Sequence, residues 1–192
     1  SVLFKIKDKY FLAAKGAPEN ILKICQFYQF AQESGNLASR LSEIEKWAKE
    51  EGQKGRRVLA VAIKEMPEGK KYSTADEKKM VLAGLISFVD PLKPDTAQAI
   101  NLAKKLGVEI KILTGDAKEV AGAVAKQIDL ITNPSQVVTG EELAKLSERD
   151  FKKAVLEFAV FARVSPEQKF KIVDALTEKK VVGFLGEGCN DA

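Results

Sequence analysis

Two glycine-flanked acidic runs hold the residues best suited to chemistry. Gly186-Glu187-Gly188-Cys189-Asn190-Asp191-Ala192 follows an apolar stretch, and Thr114-Gly115-Asp116 follows another that ends at Leu113. Carboxylates can hold a divalent metal, glycines let backbone amides approach phosphate, and threonine or asparagine adds donors. In an open α/β sheet such loops lie at the carboxyl ends of strands, where ligands bind. The pair points to a site for Mg2+ and a phosphoryl group.

Composition narrows the alternatives. The 192 residues are 45% hydrophobic, enough for one ordinary domain or two small ones. Lys and Arg number 31 against 27 Asp and Glu, a net charge of +4 without an aromatic-interleaved basic stripe, so nucleic acid is not an expected partner. Histidine is absent, which excludes histidine triads, histidine metal sites and phosphohistidine chemistry. Cys25 and Cys189 fit no disulfide or metal spacing and suit a reduced, cytosol-facing location. No apolar run approaches the roughly 20 residues that span a bilayer. The chain starts with Ser1 rather than Met, which reads as a piece cut from something longer.

Periodicity supplies the elements that must position these residues. Alternation over 2–7 and 10–14 predicts a β-hairpin, and Pro18 opens a helix to about Gln26. Ser39 or Ser42 caps a helix to about Glu51, a strand covers 56–64, and a Pro/Gly/Lys-rich loop covers 66–74. The near-continuous apolar run 81–89 reads as a strand buried on both faces. Beyond it, strands at 108–113, 137–138, 158–162 and 180–185 alternate with helices at 95–106, 117–128, 141–156 and 166–178. Such alternation predicts βαβ units and a parallel sheet, with a domain boundary near residue 80.

Six runs in order carry a resemblance. They are Lys15-Gly16-Ala17-Pro18-Glu19, Gly55-Arg56-Arg57-Val58-Leu59-Ala60, Asp90-Pro91-Leu92-Lys93, Thr114-Gly115-Asp116, the stretch from Phe161 to Lys169, and Gly186 to Ala192. Together they resemble the cytoplasmic nucleotide-binding and phosphorylation domains of P-type cation-transporting ATPases, in the haloacid dehalogenase-like group. The resemblance implies an α/β fold. Residues 1–80 would be the C-terminal part of an α+β nucleotide-binding domain, and 81–192 part of a Rossmann-like phosphorylation domain.

The resemblance also implies roles. Lys15 and Gly16 would lie beside the adenine of ATP, where an ammonium over a purine face makes a clamp. The bland alternative is an ordinary strand-to-helix turn. Arg57, rather than Arg56, would reach the phosphates with a guanidinium fork. Asp90, Lys93 and Arg163 would join the nucleotide-binding set, although a family Asp-Pro-Pro-Arg stands here as Asp-Pro-Leu-Lys. Thr114, Gly115, Asp116, Lys169 and Asn190 would organise the phosphoryl group, and Glu187 and Asp191 would serve Mg2+. Glu187 replaces the family's aspartate, and its extra methylene strains the tight octahedral geometry Mg2+ requires.

The family's nucleophile, an aspartate in Asp-Lys-Thr-Gly-Thr, is not in this sequence and would precede Ser1. The chain alone is then expected not to form an aspartyl-phosphate. Its partners would be ATP and the rest of a pump: the actuator domain, the transmembrane helices and the upstream nucleophile segment. The location would be the cytoplasmic face of a membrane. The rival reading is a non-catalytic nucleotide-binding or regulatory module. A soluble phosphatase of the same group would need the same aspartate and leaves residues 1–80 unexplained. The phrases around Leu113 and Phe184 most resemble the magnesium- and proton-pump branch, while the Phe161 to Lys169 run reads equally as calcium-pump-like. The nucleophile strand would sit between strands 108–113 and 180–185, so a gap, a direct pairing or a borrowed strand is expected there.

Overall fold

Alternating apolar residues build the first sheet in the computed structural model, which describes residues 1–69 and 71–186. β1 (Val2–Ile6) and β2 (Lys9–Gly16) form the expected hairpin. Pro18 stands at the first position of α1 (Pro18–Ile24), which ends where Cys25 turns extended. There the chain departs from expectation: β3 (Cys25–Phe30) and β4 (Glu33–Asn36) form a second hairpin. Tyr28 and Phe30 lie two positions apart on one face of the strand, and their burial outweighs continuation of the helix. α2 (Leu41–Gln53) leads to β5 (Arg56–Met66), and β6 is Met80–Val89.

The sheet order is β1-β2-β5-β6-β3-β4. β6 runs antiparallel to β5 and parallel to β3. The strand expected to open the second domain therefore belongs to the first, and the division falls between Val89 and Asp90 rather than near residue 80. The first unit is Ser1–Gly52 with Arg56–Val89, and the second is Gln53–Gly55 with Asp90–Ala192. The apolar run misled because it is not buried on both faces: Met80 and Leu82 are fully buried while Ile86 and Phe88 are exposed. Leu12, Ala14, Ala60, Ala62, Met80 and Leu82 share one face, and with Ile21, Leu22 and Ile44 of α1 and α2 they make the core.

The second unit has a three-stranded parallel sheet, ordered β7-β9-β8, from β7 (Ile112–Leu113), β8 (Val137–Thr139) and β9 (Val160–Ala162). Before it runs α3 (Thr96–Lys105), which stops as expected at Gly107. The Val108 amide donates to Ala103 and the Gly107 amide to Lys104, with Gly107 at φ +77°, the left-handed turn that closes a helix. β9 is wholly buried. Val160 and Ala162 pack towards Ala121 and Ala125 of α4 (Lys118–Gln127), and Phe161 packs against Val155 and Ile172 on the other side. Helices on both faces of parallel strands explain the continuous apolar character of β9.

Three further expectations are corrected. The strand at 108–113 is reduced to Ile112 and Leu113. The helix at 141–156 is two helices, α5 (Gly140–Ala144) and α6 (Glu148–Glu157), because Ser147 turns extended and its hydroxyl caps the Asp150 amide. The segment 180–185 forms no strand; it follows α7 (Pro166–Thr177). No described helix is long and apolar enough to cross a membrane.

Candidate functional site

In the first unit, Lys15 and Gly16 end β2 and Arg57 stands second in β5. Lys15 lies opposite Val61 and Gly16 opposite Ala60. Side chains alternate along a strand, so Lys15 falls on the face opposite the buried Leu12 and Ala14. By the same alternation Arg57, Leu59 and Val61 lie opposite the buried Ala60 and Ala62. Lys15 and Arg57 thus share the sheet face away from the core, about 13 Å apart along the strands by the four-residue offset. Arg56 is held on the other side: its Nη1 donates to Glu51 at 2.9 Å, and Ser87 donates to the same carboxylate at 2.6 Å. Glu51 is 5% exposed. Sequence reasoning passed over this carboxylate, whose placement depends on three elements meeting.

In the second unit, the loop after β7 is tied to the end of β9. The Thr114 amide donates to Phe161 at 2.9 Å and the Val164 amide to Thr114 at 3.1 Å. Within the loop, the Thr114 hydroxyl donates to the Asp116 carboxylate at 3.0 Å and accepts from the Asp116 amide at 3.1 Å. Arg163 clasps the same loop, its amide on the Asp116 carbonyl at 3.0 Å and its Nη1 on the Gly115 carbonyl at 3.1 Å. Thr114, Gly115, Asp116 and Arg163 therefore form one cluster.

α7 opens beside that cluster. Ser165 caps the Gln168 amide, and Gln168 Oε1 accepts from the Ser165 amide at 3.0 Å. Gln168 Nε2 also donates to the Gly140 carbonyl at 2.9 Å, joining the starts of α5 and α7. The Ser-Pro-Glu-Gln spacing is a capping-box signal legible in sequence, but the link to Gly140 is not. Lys169 lines an open cleft of about 810 Å3 with Leu113, Val173 and Leu176; residues 107–111 and 180–185 complete it. β7 and 180–185 line opposite parts of this cleft and do not pair directly among the described residues.

Asp90 and Lys93 lie in an exposed irregular stretch before α3, and the Lys93 carbonyl accepts from Thr96. Glu187, Asn190 and Asp191 lie outside the described residues. Among the described residues no three Cys, Asp or Glu side chains gather to hold a metal, so they do not by themselves make a Mg2+ site.

Comparison with known proteins finds relatives along nearly the whole chain. The family description "P-type ATPase, cytoplasmic domain N" matches residues 1–95. A P-type magnesium-transporting ATPase of Escherichia coli K12 is 38% identical over 185 residues, 94% of this chain and 20% of that protein. A calcium-transporting ATPase of Listeria monocytogenes is 31% identical over 195 residues, 100% of this chain and 22% of that one. The calcium-transporting ATPase type 2C member 1 of Pongo abelii is 32% identical over 179 residues, with coverages of 93% and 18%. The chain spans about a fifth of the length of these relatives.

Proposed function

Since the chain belongs to the P-type cation-transporting ATPase family, we propose that it is the ATP-binding cytoplasmic portion of a cation pump, its first unit holding the nucleotide and its second part of the phosphorylation domain. The observation that carries the reading is the placement of Lys15 and Arg57 on one sheet face. Lys15, with Gly16 behind it, approaches the base, and Arg57 reaches the phosphates. Thr114, Gly115 and Asp116 meet the transferred phosphoryl group with hydroxyl and amide donors, and Lys169 offsets its charge. Asp90, Lys93 and Arg163 add contacts to the nucleotide. Asn190 joins the phosphoryl set, and Glu187 and Asp191 are the residues assigned to Mg2+. The phosphoryl acceptor is the aspartate of an upstream Asp-Lys-Thr-Gly-Thr segment, and hydrolysis of the resulting aspartyl-phosphate, on the cytoplasmic side, drives ion transport across the membrane. The magnesium- and proton-pump branch is favoured by the phrases around Leu113 and Phe184.

Calorimetric titration of ATP into the chain tests the carrying observation. Lys15→Ala should weaken binding and leave the melting temperature unchanged; unchanged affinity removes Lys15 from the site. The chain should release no phosphate from ATP. Steady release that disappears in the Thr114→Ala, Asp116→Ala double variant would overturn the assignment of the nucleophile to another segment.

A further inference from the structure

The strand β6 carries a feature that the nucleotide roles assigned above leave unused. Glycine weakens a strand interior, and it persists where a bulge or a close approach requires it. Gly84 follows a register shift: Val61 pairs with Gly84 but its neighbour Ala62 pairs with Leu82, leaving Ala83 as the extra residue. The shift keeps Leu82 and Leu85 on the core side and turns Gly84, Ile86 and Phe88 to the face of Lys15 and Arg57. A Cβ at Gly84 would meet nothing within 4 Å, so no neighbour demands glycine there.

Three cross-strand rows result. Lys15, Val61 and Gly84 lie side by side, then Leu59 beside Ile86, then Arg57 beside Phe88. Ile86 is 54% exposed and Phe88 39%. A flat shelf with a bare point at one end and a guanidinium row at the other fits an elongated ligand with a planar apolar head and an anionic tail. A purine can lie flat where the face stays low, and Gly84, in the row of Lys15 and Val61, leaves such a place beside the short Val61 side chain.

We propose that Gly84 is a specificity-determining residue of the nucleotide site: the base rests over Gly84 and Val61, and Ile86 and Phe88 guide the sugar and phosphates towards Arg57. The proposal rests on the nucleotide reading above. Valine suits a half-buried strand position with open space for its side chain, so Gly84→Val should keep or raise the melting temperature while blocking the base. It should weaken ATP and adenosine alike, by about tenfold or more, whereas Arg57→Ala weakens ATP and spares adenosine. Gly84→Ala should give a smaller loss in the same direction. Adenosine added to the labelled unsubstituted chain should shift the amide signals of Gly84 and Val61. If Lys15→Ala weakens ATP but Gly84→Val changes affinity by less than about twofold, or adenosine leaves those two amides unmoved, Gly84 has no such role while the nucleotide reading stands. Absence of any ATP binding by the unsubstituted chain would overturn both.

Discussion

Arg163 holds the loop at Gly115 from two atoms of one residue: its guanidinium donates to the Gly115 carbonyl at 3.1 Å, and its backbone amide donates to the adjoining Asp116 carbonyl at 3.0 Å. To do so Arg163 adopts φ +51°, the left-handed region that costs an L-residue roughly 1–2 kcal/mol. A non-glycine residue kept in that region marks a place where surrounding structure dictates the backbone.

Substitution at Arg163 should separate these contributions. Arg163→Gly loses the guanidinium bond but relieves the backbone, so urea unfolding should show a small net change. Arg163→Ala loses the bond and keeps the strain, and should be less stable than Arg163→Gly by about 1 kcal/mol. An alanine variant as stable as the glycine variant would mean that the positive φ is not what shapes the loop.

The neighbouring contact is tighter. A Cβ on Gly140 would lie 2.6 Å from the Arg163 carbonyl oxygen and 3.0 Å from Gln168 Cδ. Gly140→Ala should destabilise by about 1–3 kcal/mol, the usual range for overpacking. Gln168→Ala should cost about 1 kcal/mol through the lost cap and the lost bond to Gly140. The double variant should not recover, because the backbone carbonyl remains in the way. Recovery in a denaturation series would place the clash on the Gln168 side chain alone.

What sequence made legible follows from the range of the interactions involved. The hairpin β1–β2, the stop at Gly107 and the helix that opens at Pro166 depend on residues a few positions apart, and each stands where the pattern predicts it. β6 joins the first sheet rather than opening the second, a choice an apolar run does not state, and the bulge at Ala83 disguises its alternation. The expected helix runs past the start of β3 to about Gln26 because short apolar runs fit either period. The cluster at Thr114 was legible as a motif. Its clasp by Arg163 was not, since that contact bridges 48 positions and a left-handed turn.

The acid response of the second unit should come from paired carboxylates. The Glu142 carboxylate accepts from Lys118 at 2.8 Å and from the Thr139 amide at 2.7 Å, and the lysine bond is the main reason that this carboxyl titrates below the ordinary range. Glu109 is lowered chiefly by its bond from Lys180 and then by Lys111. A depressed carboxyl stabilises the fold above its unfolded pKa, about 4.3, and that contribution is lost as pH falls through the folded value. Urea midpoints should therefore drop as pH falls below about 4.3, and less steeply in Lys118→Ala. Equal slopes for both proteins would show that the Glu142 pair does not contribute.

The cleft beside β7 gives the last prediction. β7 stands at the edge of its sheet, and 180–185 lines the far wall together with Lys169 and Val173. An edge strand exposes backbone donors and acceptors that another strand can satisfy. On the reading proposed above, the nucleophile strand would lie between these two segments, where Leu113 and Val182 offer apolar walls. A peptide carrying the upstream apolar strand and Asp-Lys-Thr-Gly-Thr should therefore raise the stability of the chain, by about 2.7 kcal/mol at a hundred times its dissociation constant. Hydrogen exchange should slow at Ile112 and Leu113 and leave β1 untouched. Melting and exchange that do not change with saturating peptide would show that the cleft is not the place of the missing strand.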